Sequence, residues 1–115
     1  MKIRRGYLYS ANLDPRFGSE AGKTRPVLVL QTDDLNPFHT STLICPLTTK
    51  VRKELEYTRI HLKKGEAGLS QESDIMLDQI RSIDNRRFKK EIGKLDSKTL
   101  IDIEEKIKIL LDFKY

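Results

Sequence analysis

Hydrophobic and polar residues alternate in short runs along most of the chain. The runs are separated by segments rich in glycine, asparagine, aspartate and proline, and they occupy residues 3–13, 27–30, 42–48, 57–62, 75–83 and 86–94. Alternation with a period of two is typical of strands that have one buried face. The pattern therefore predicts a series of short β-strands joined by turns.

Only the last part of the chain has a helical period. From residue 97 to residue 112 there is no glycine or proline, and one apolar stripe recurs at helical spacing: Leu100, Ile103, Ile107 and Leu110. Asp96 or Ser97 can cap the first turn. We predict a helix from these residues to about Asp112, with its stripe packed on the sheet.

Many strands and one terminal helix indicate a single α+β domain over residues 1–115, built on a strongly bent antiparallel sheet or barrel. Two runs are interrupted. Pro46 cannot donate to a ladder, so we predict that its strand lies at a sheet edge or carries a bulge. Asp78 and Gln79 break the run 75–83, which indicates a groove-facing polar patch or a bulge.

The run 57–62 alternates regularly. Its pattern directs Thr58, Ile60 and Leu62 inward. Arg59 and His61 are then predicted to point outward, where a solvated histidine is the simplest interpretation.

The composition is basic. Charged residues make up 34% of the chain, the net charge is +5 and the isoelectric point is near 9.4. Residues 97–115 carry equal numbers of acidic and basic side chains, so the whole excess lies in residues 1–96. Such an excess favours a polyanionic partner, most often nucleic acid. The alternative is a merely soluble basic surface.

Several classes of site are disfavoured. The single cysteine, Cys45, cannot form an internal disulfide and is expected to be a small buried hydrophobe. No Cys/His cluster has the spacing of zinc ligands, so we expect neither a metal nor another cofactor. No apolar run has the length of a membrane span or a secretory signal, and we expect a cytoplasmic protein with no membrane partner.

Two further interpretations fail on context. Residues 18–24 contain Gly-Lys-Thr, but the spacing is one residue short of a phosphate-binding loop and a strand follows where that loop needs a helix. Acid–base catalysis by His39 and His61 is chemically possible. Nothing in the sequence brings these two histidines together.

The most informative segment is the glycine-broken loop 18–24, followed by Arg25, Pro26 and a buried strand. Pro26 holds Arg25 in an extended conformation. A planar, permanently charged guanidinium at a strand entrance suits the recognition of phosphate or carboxylate groups. The alternative is that Arg25 forms an ion pair with Glu20 and only clamps the loop.

Metal-free RNA cleavage fits these residue types. RNA supplies its own nucleophile, the 2′-hydroxyl, so the protein has to align it, stabilise charge on phosphorus and move two protons. Arg25 can stabilise the charge and protonate the leaving 5′-oxygen. Arginine is a poor base, and Glu20 or a polarised Thr48 would have to assist.

Seven segments stand in a fixed order over nearly the full length: RGYLY at 5–9, NLDP at 12–15, GSEAG at 18–22, RPVLV at 25–29, LTT at 47–49, LDQIRSID at 77–84 and LD at 95–96. In sequence and order they resemble those of the MazF/PemK-like endoribonucleases, the toxin halves of MazE/MazF-type toxin–antitoxin systems. The resemblance implies an SH3-like barrel with a C-terminal helix that works as a homodimer.

The resemblance also implies an activity. Members of the family cut single-stranded RNA, chiefly mRNA, at short sequences without a metal and leave a 2′,3′-cyclic phosphate, which inhibits translation. An acidic MazE-like antitoxin neutralises them. The implied catalytic residues are Arg25 and Thr48, and the implied RNA-binding residues are Phe17, Ser19, Glu20, Ser73 and Gln79. The loop 18–23 would cover the RNA. Asp78 departs from a glutamate found in some relatives, which leaves the recognised base sequence open.

Two other functions compete with the nuclease. One is a toxin of the same fold that binds and poisons DNA gyrase without catalysis. The other is a non-catalytic RNA-binding module, for which the basic excess alone would suffice.

Overall fold

The computed structural model describes residues 1–114 and contains seven strands and one helix in that range. The strands are β1 (Tyr7–Asn12), β2 (Thr24–Val29), β3 (Ser41–Thr48), β4 (Arg59–Leu62), β5 (Ser73–Met76), β6 (Arg81–Asp84) and β7 (Phe88–Lys94), and the helix is α1 (Ser97–Leu110). Short 3-10 turns lie at Lys53–Leu55, Glu66–Gly68, Leu77–Gln79 and Asn85–Arg87. The predicted α+β architecture is confirmed.

The sheet is antiparallel, and β3 is its central strand. The strand order is β4-β5-β3-β2-β1-β7, and β6 pairs with β3 as well. Of the two alternatives predicted for the Pro46 strand, a sheet edge or a bulge, the sheet edge is therefore wrong. The first half of β3 pairs with β6 as far as Ile44, and its end pairs with β5 from Leu47 onward. Pro46 lies in the interval between these two neighbours, which accommodates a residue without an N–H.

The run 75–83 is not one strand. The 3-10 turn Leu77–Gln79 ends β5, and the chain re-enters the sheet as β6 on another part of β3. The polar interruption at Asp78 and Gln79 signals this redirection, because the turn carries both residues out of the ladder.

The strand predicted over 57–62 is shorter than expected, since β4 begins at Arg59. Leu62 is buried and His61 is exposed, as predicted. Arg59 was expected to point to solvent, which is wrong. Its guanidinium turns onto the buried carboxylate of Asp74, and only 14% of its side chain is exposed.

Alternation along the strands builds a core on each face of the sheet. One cluster includes Leu8, Leu28, Cys45, Leu47 and Ile75, and the helix adds Ile103 to it. The other cluster is formed by side chains on the opposite face of the sheet and includes Tyr9, Val27, Ile44, Ile83 and Phe88. Cys45 is fully buried, as expected.

The predicted helix is confirmed. Asp96 caps it, because its Oδ1 accepts a hydrogen bond from the backbone N–H of Thr99 at 2.7 Å. Ile103 is fully buried. Leu110 is 38% exposed, so the apolar stripe leaves the core in the last turn. Within residues 1–114, the structure has no helix long and apolar enough to cross a membrane.

The two ends of the sheet meet through glycines. The turn at Glu66–Gly68 lies against β7, and a Cβ added to Gly68 would collide with the backbone carbonyl of Ile92. A Cβ at Gly93 would collide with the backbone carbonyl of Ala67. The bent sheet is therefore closed by a backbone-to-backbone contact that side chains at these two positions would prevent.

We expect Gly68→Ala to lower the free energy of unfolding by more than Gly65→Ala does. Both glycines have positive φ, +79° and +93°, so both changes carry the strain of a left-handed alanine. Only position 68 adds a collision, because nothing lies within 4 Å of a Cβ at Gly65. Urea denaturation should show an additional loss of roughly 1–3 kcal/mol for Gly68→Ala. Equal losses would contradict the closure described here.

Candidate active site

Arg25 is the second residue of β2 and is half-buried. Its Nε donates to the backbone carbonyl of Gly22 at 2.8 Å, and its Nη1 donates to that of Leu47 at 3.1 Å. No Asp or Glu oxygen lies within salt-bridge distance of this guanidinium in residues 1–114. The alternative in which Arg25 forms an ion pair with Glu20 is therefore wrong.

The surroundings of Arg25 change its acidity. Burial lowers the pKa of Arg25 below its ordinary value, and the nearby positive charge of Arg16 lowers it further, while Asp14 acts in the opposite direction. A guanidinium without a paired carboxylate and with a lowered pKa is a better proton donor than an exposed arginine.

Thr48 ends β3, and it lines the same cleft as Arg25. The pairing of β2 with β3 stops at Val27 and Pro46, so neither Arg25 nor Thr48 belongs to the β2–β3 ladder. Beyond that point, the Arg25 side chain bonds to the Leu47 carbonyl instead. The Oγ1 of Thr48 accepts a hydrogen bond from the backbone N–H of Lys50 at 3.2 Å.

These two residues share a cleft of about 230 Å³. It is lined by Arg16, Ser19, Glu20, Ala21, Gly22, Lys23, Arg25, Thr48, Lys50, Met76 and Gln79. Four of these side chains are cationic and one is a carboxylate. The cleft therefore favours an anionic ligand.

One wall of the cleft is the loop between β1 and β2, residues 13–23, which we call the cover loop. Its two ends are joined because the N–H of Leu13 donates to the carbonyl of Lys23 at 2.8 Å. The N–H of Lys23 donates to Oδ1 of Asp14 at 2.7 Å. Arg87 donates to the backbone carbonyls of Asn12 and Asp14, which ties the base of the loop to the turn before β7.

The tip of the cover loop has its own contacts. Oε1 of Glu20 accepts a hydrogen bond from the N–H of Phe17 at 3.1 Å. Nε2 of Gln79 donates to the carbonyl of Ser19 at 3.4 Å, across the cleft. The loop thus reaches over the site and touches its far side.

The structure brings together most of the candidate site residues. Arg25, Thr48, Ser19, Glu20 and Gln79 all line the cleft. Two others do not.

Phe17 and Ser73 lie outside the cleft lining. Phe17 is on the cover loop, with 84% of its surface exposed. Ser73 is 2% exposed on β5, and its hydroxyl donates to the carbonyl of Gln71.

Three cations that line the cleft, Arg16, Lys23 and Lys50, were not among the predicted site residues. In the sequence they contribute only to the general basic charge. Asp74, which is paired with Thr48 in the β3–β5 ladder, was not predicted either. The predicted strand began at residue 75, one residue after Asp74, so no strand pattern indicated that Asp74 is buried.

Other nucleophiles and bases lie elsewhere. Burial, and to a lesser degree the charge of Asp78, raises the pKa of the Cys45 thiol to about 12, so it is not a thiolate near neutral pH. His39 lies at the entry to β3, with its Nδ1 2.9 Å from the carbonyl of Ser41. His61 contacts Asp74 and Glu72. In residues 1–114, no group of three or more His, Cys, Asp or Glu side chains could hold a metal ion.

Residues 4–111 match the model of one protein family, described as the PemK-like, MazF-like toxins of type II toxin–antitoxin systems. The chain belongs to this family. The resemblance found in the sequence is thereby confirmed, and it covers both strands that carry Arg25 and Thr48.

Curated relatives agree with this membership. The chain is 35% identical to "Endoribonuclease EndoA" of Bacillus subtilis over 98% of its own length and the whole of that protein. It is 33% identical to "Endoribonuclease MazF" of Staphylococcus epidermidis, covering 95% of this chain and 91% of the relative. These names support the enzyme class that the resemblance implies.

Solved structures match the fold. MazF of Deinococcus radiodurans superposes with a TM-score of 0.83 at 26% identity, covering 98% of this chain and 99% of that one. The MazE-MazF structure of the same organism gives a TM-score of 0.78 at 26% identity, with 99% of each chain covered. The MazF-type barrel with a C-terminal helix is confirmed.

Gly22→Ala is expected to displace the cover loop. Gly22 is buried, and an added Cβ would lie 2.7 Å from Cβ of Arg16 and 2.8 Å from Oδ1 of Asp14, the oxygen that binds Lys23. We expect faster trypsin cleavage after Arg16 and Lys23 and a loss of roughly 1–3 kcal/mol in stability. Ser19→Ala, at an exposed position of the same loop, is the control. If trypsin cleaved Gly22→Ala at the wild-type rate, the described packing at the base of the cover loop would be contradicted.

Proposed function

We propose that this protein is a metal-independent endoribonuclease toxin that cleaves single-stranded RNA, chiefly mRNA, in the cytoplasm and so inhibits translation. The observation that carries the proposal is the convergence of Arg25 and Thr48 in one cationic cleft, with the guanidinium held by backbone carbonyls and not neutralised by a carboxylate. The curated relatives named as endoribonucleases support the same activity.

The reaction is an attack by the 2′-hydroxyl on the adjacent phosphorus. It breaks the bond to the 5′-oxygen of the next nucleotide and leaves a 2′,3′-cyclic phosphate and a 5′-hydroxyl. Arg25 stabilises the negative charge that develops on the phosphoryl oxygens. The Thr48 hydroxyl donates a hydrogen bond to the same phosphate. Its Oγ1 already accepts a hydrogen bond from the N–H of Lys50, which holds the hydroxyl in place.

Two protons have to move. Glu20 is the one carboxylate among the residues that line the cleft, so it is the group that accepts the proton of the 2′-hydroxyl. Arg25, with its lowered pKa, donates a proton to the leaving 5′-oxygen.

The remaining residues bind the RNA. Arg16, Lys23 and Lys50 attract neighbouring phosphates, and exposed Phe17 offers a face on which a base can stack. The Gln79 amide reads a base edge. We leave Ser73 out of these contacts because its hydroxyl is buried and already bonded to Gln71.

An acidic, MazE-like antitoxin is proposed as the neutralising partner. The support is the MazE-MazF structure of Deinococcus radiodurans among the matching folds and the positive excess of this chain. A segment rich in Asp and Glu would be attracted to the same cationic cleft as RNA.

Arg25→Ala is expected to reduce the rate of RNA cleavage by about 10³-fold or more, because it removes the principal charge stabilisation in the cleft. The assay uses a long single-stranded RNA in the presence of EDTA. Wild-type cleavage should persist under these conditions, and the products should carry cyclic phosphate ends. Lys98→Ala, which removes one exposed charge at the start of α1, is the control.

Other outcomes would identify the competing functions. Cleavage at the wild-type rate by folded Arg25→Ala would refute the proposed mechanism. RNA binding without cleavage by the wild type would favour the non-catalytic module. Gyrase inhibition without RNA cleavage would favour the gyrase poison.

A homodimer is also proposed. The chain exposes large apolar side chains on β3 and in the loop before it, including Leu43 at 39% and Phe38 at 85%, and a partner subunit would bury them. Sedimentation at micromolar concentration should give twice the chain mass of 13.4 kDa. A stable monomer would contradict this proposal.

A further inference from the structure

A group of charged side chains lies on β4 and β5, next to Thr48 and outside the cleft lining. Asp74 is paired with Thr48 in the β3–β5 ladder and with His61 in the β4–β5 ladder. Residues that face each other across antiparallel strands project from the same side of the sheet. Thr48, Asp74 and His61 therefore form one transverse row.

Asp74 is the buried centre of this group. Only 3% of its side chain is exposed, and its oxygens accept three hydrogen bonds. Oδ2 accepts from the backbone N–H of Arg52 at 2.9 Å and from Nη1 of Arg59 at 3.1 Å. Oδ1 lies 3.0 Å from Nδ1 of His61. Burial alone would raise the pKa of Asp74, but the hydrogen bonds from Arg52, His61 and Arg59 lower it overall, so the carboxylate is charged at neutral pH.

The contacts of Asp74 converge on the segment that follows Thr48. Nη1 of Arg59 also donates to the carbonyl of Lys50 at 2.9 Å. The backbone of Lys50 is therefore held at both ends, because its carbonyl accepts from Arg59 and its N–H donates to Oγ1 of Thr48. Two residues on, the N–H of Arg52 is held by Asp74 itself.

The Arg59–Asp74 ion pair is unusual for this chain. In residues 1–114, it is the one ion pair whose two side chains are both less than a fifth exposed, at 14% and 3%. A buried pair costs desolvation energy and is a weak source of net stability. The pair nevertheless restricts the backbone strongly. Two buried charges have few other partners, so they hold the backbone groups of Lys50 and Arg52 that they bind in one position.

We propose that Asp74, acting with Arg59, is a positioning residue that fixes the segment 49–52 and thereby the hydroxyl of Thr48 in the cleft. This inference rests on the proposed function only in taking Thr48 as part of the reacting site. Asp74 does not line the cleft, so its effect reaches the reaction through the peptides of Lys50 and Arg52. A displacement of about 1 Å at a positioned group can cost two orders of magnitude in rate.

The alternative is that the ion pair only fastens β4 to β5. The chain offers a matched pair of variants to separate these roles. Asp74→Asn and Glu72→Gln each convert a carboxylate of the same network to an amide. Glu72 contacts only His61 within the network, whereas Asp74 binds Arg52 and Arg59. An amide oxygen in the place of Oδ2 can still accept from Arg52 and Arg59, but it carries no charge. Asp74→Asn therefore removes the ion pair with Arg59, weakens both bonds, and loses the bond that His61 donates to Oδ1.

The test combines cleavage kinetics with amide hydrogen exchange. For Asp74→Asn we expect kcat on an RNA substrate to fall about 10- to 100-fold, with KM within about twofold of the wild type. The amides of Lys50 and Arg52 should exchange at least about tenfold faster, while those of the β4–β5 ladder keep their protection. Glu72→Gln should leave kcat and both sets of amides unchanged. If Asp74→Asn does not fold, Arg59→Met tests the same connection.

Three results would overturn the positioning role. In the first, the Lys50 and Arg52 amides of Asp74→Asn exchange at the wild-type rate. In the second, the amides of the β4–β5 ladder lose as much protection as those two. In the third, the two amides exchange faster but kcat does not fall. If the wild type does not cleave RNA, the proposed function fails. The exchange data alone then decide whether Asp74 holds the segment 49–52.

Discussion

The candidate site depends on how one guanidinium is held. Arg25 spans the carbonyls of Gly22 and Leu47, which belong to the cover loop and to β3. Hydrogen bonds from a charged donor are stronger than neutral ones, at roughly 1.5–3 kcal/mol each. These bonds join the loop to the sheet. They also leave the positive charge of Arg25 available to a ligand, because a carbonyl, unlike a carboxylate, does not neutralise it. A rigid cation with donors remaining is what a phosphate site requires.

The sheet explains why this occurs beside Thr48. β3 has three partner strands, and β2 pairs with it only over residues 27–29. Arg25 and Thr48 lie beyond the end of that pairing, and both line the cleft. Closure of the barrel at Gly68 fixes the bend of the sheet, and Asp74 lies on the other side of Thr48. The candidate site is thus set by strand register and by backbone contacts of its side chains.

Much of this was predictable from residue patterns. Alternation located the strands, and the stripe through Ile103 located the helix with its Asp96 cap. The association of Arg25 with Thr48 came from the family resemblance, because no local pattern encodes that the two residues line one cleft. The edge alternative for Pro46 was wrong because a missing N–H does not show that Pro46 lies opposite the gap between β5 and β6. Arg59 misled because periodicity cannot anticipate a buried carboxylate 15 residues away.

The central claim is that Arg25 and Thr48 act as one unit on one phosphate. A double-mutant cycle of Arg25→Ala and Thr48→Val, with kcat measured on a single RNA substrate, tests it most directly. Val keeps the shape of threonine and removes the hydroxyl. If the two residues act together, the double variant should be no more than about threefold slower than the slower single variant. Rate losses that multiply would mean that the two residues act independently, which would contradict the shared site.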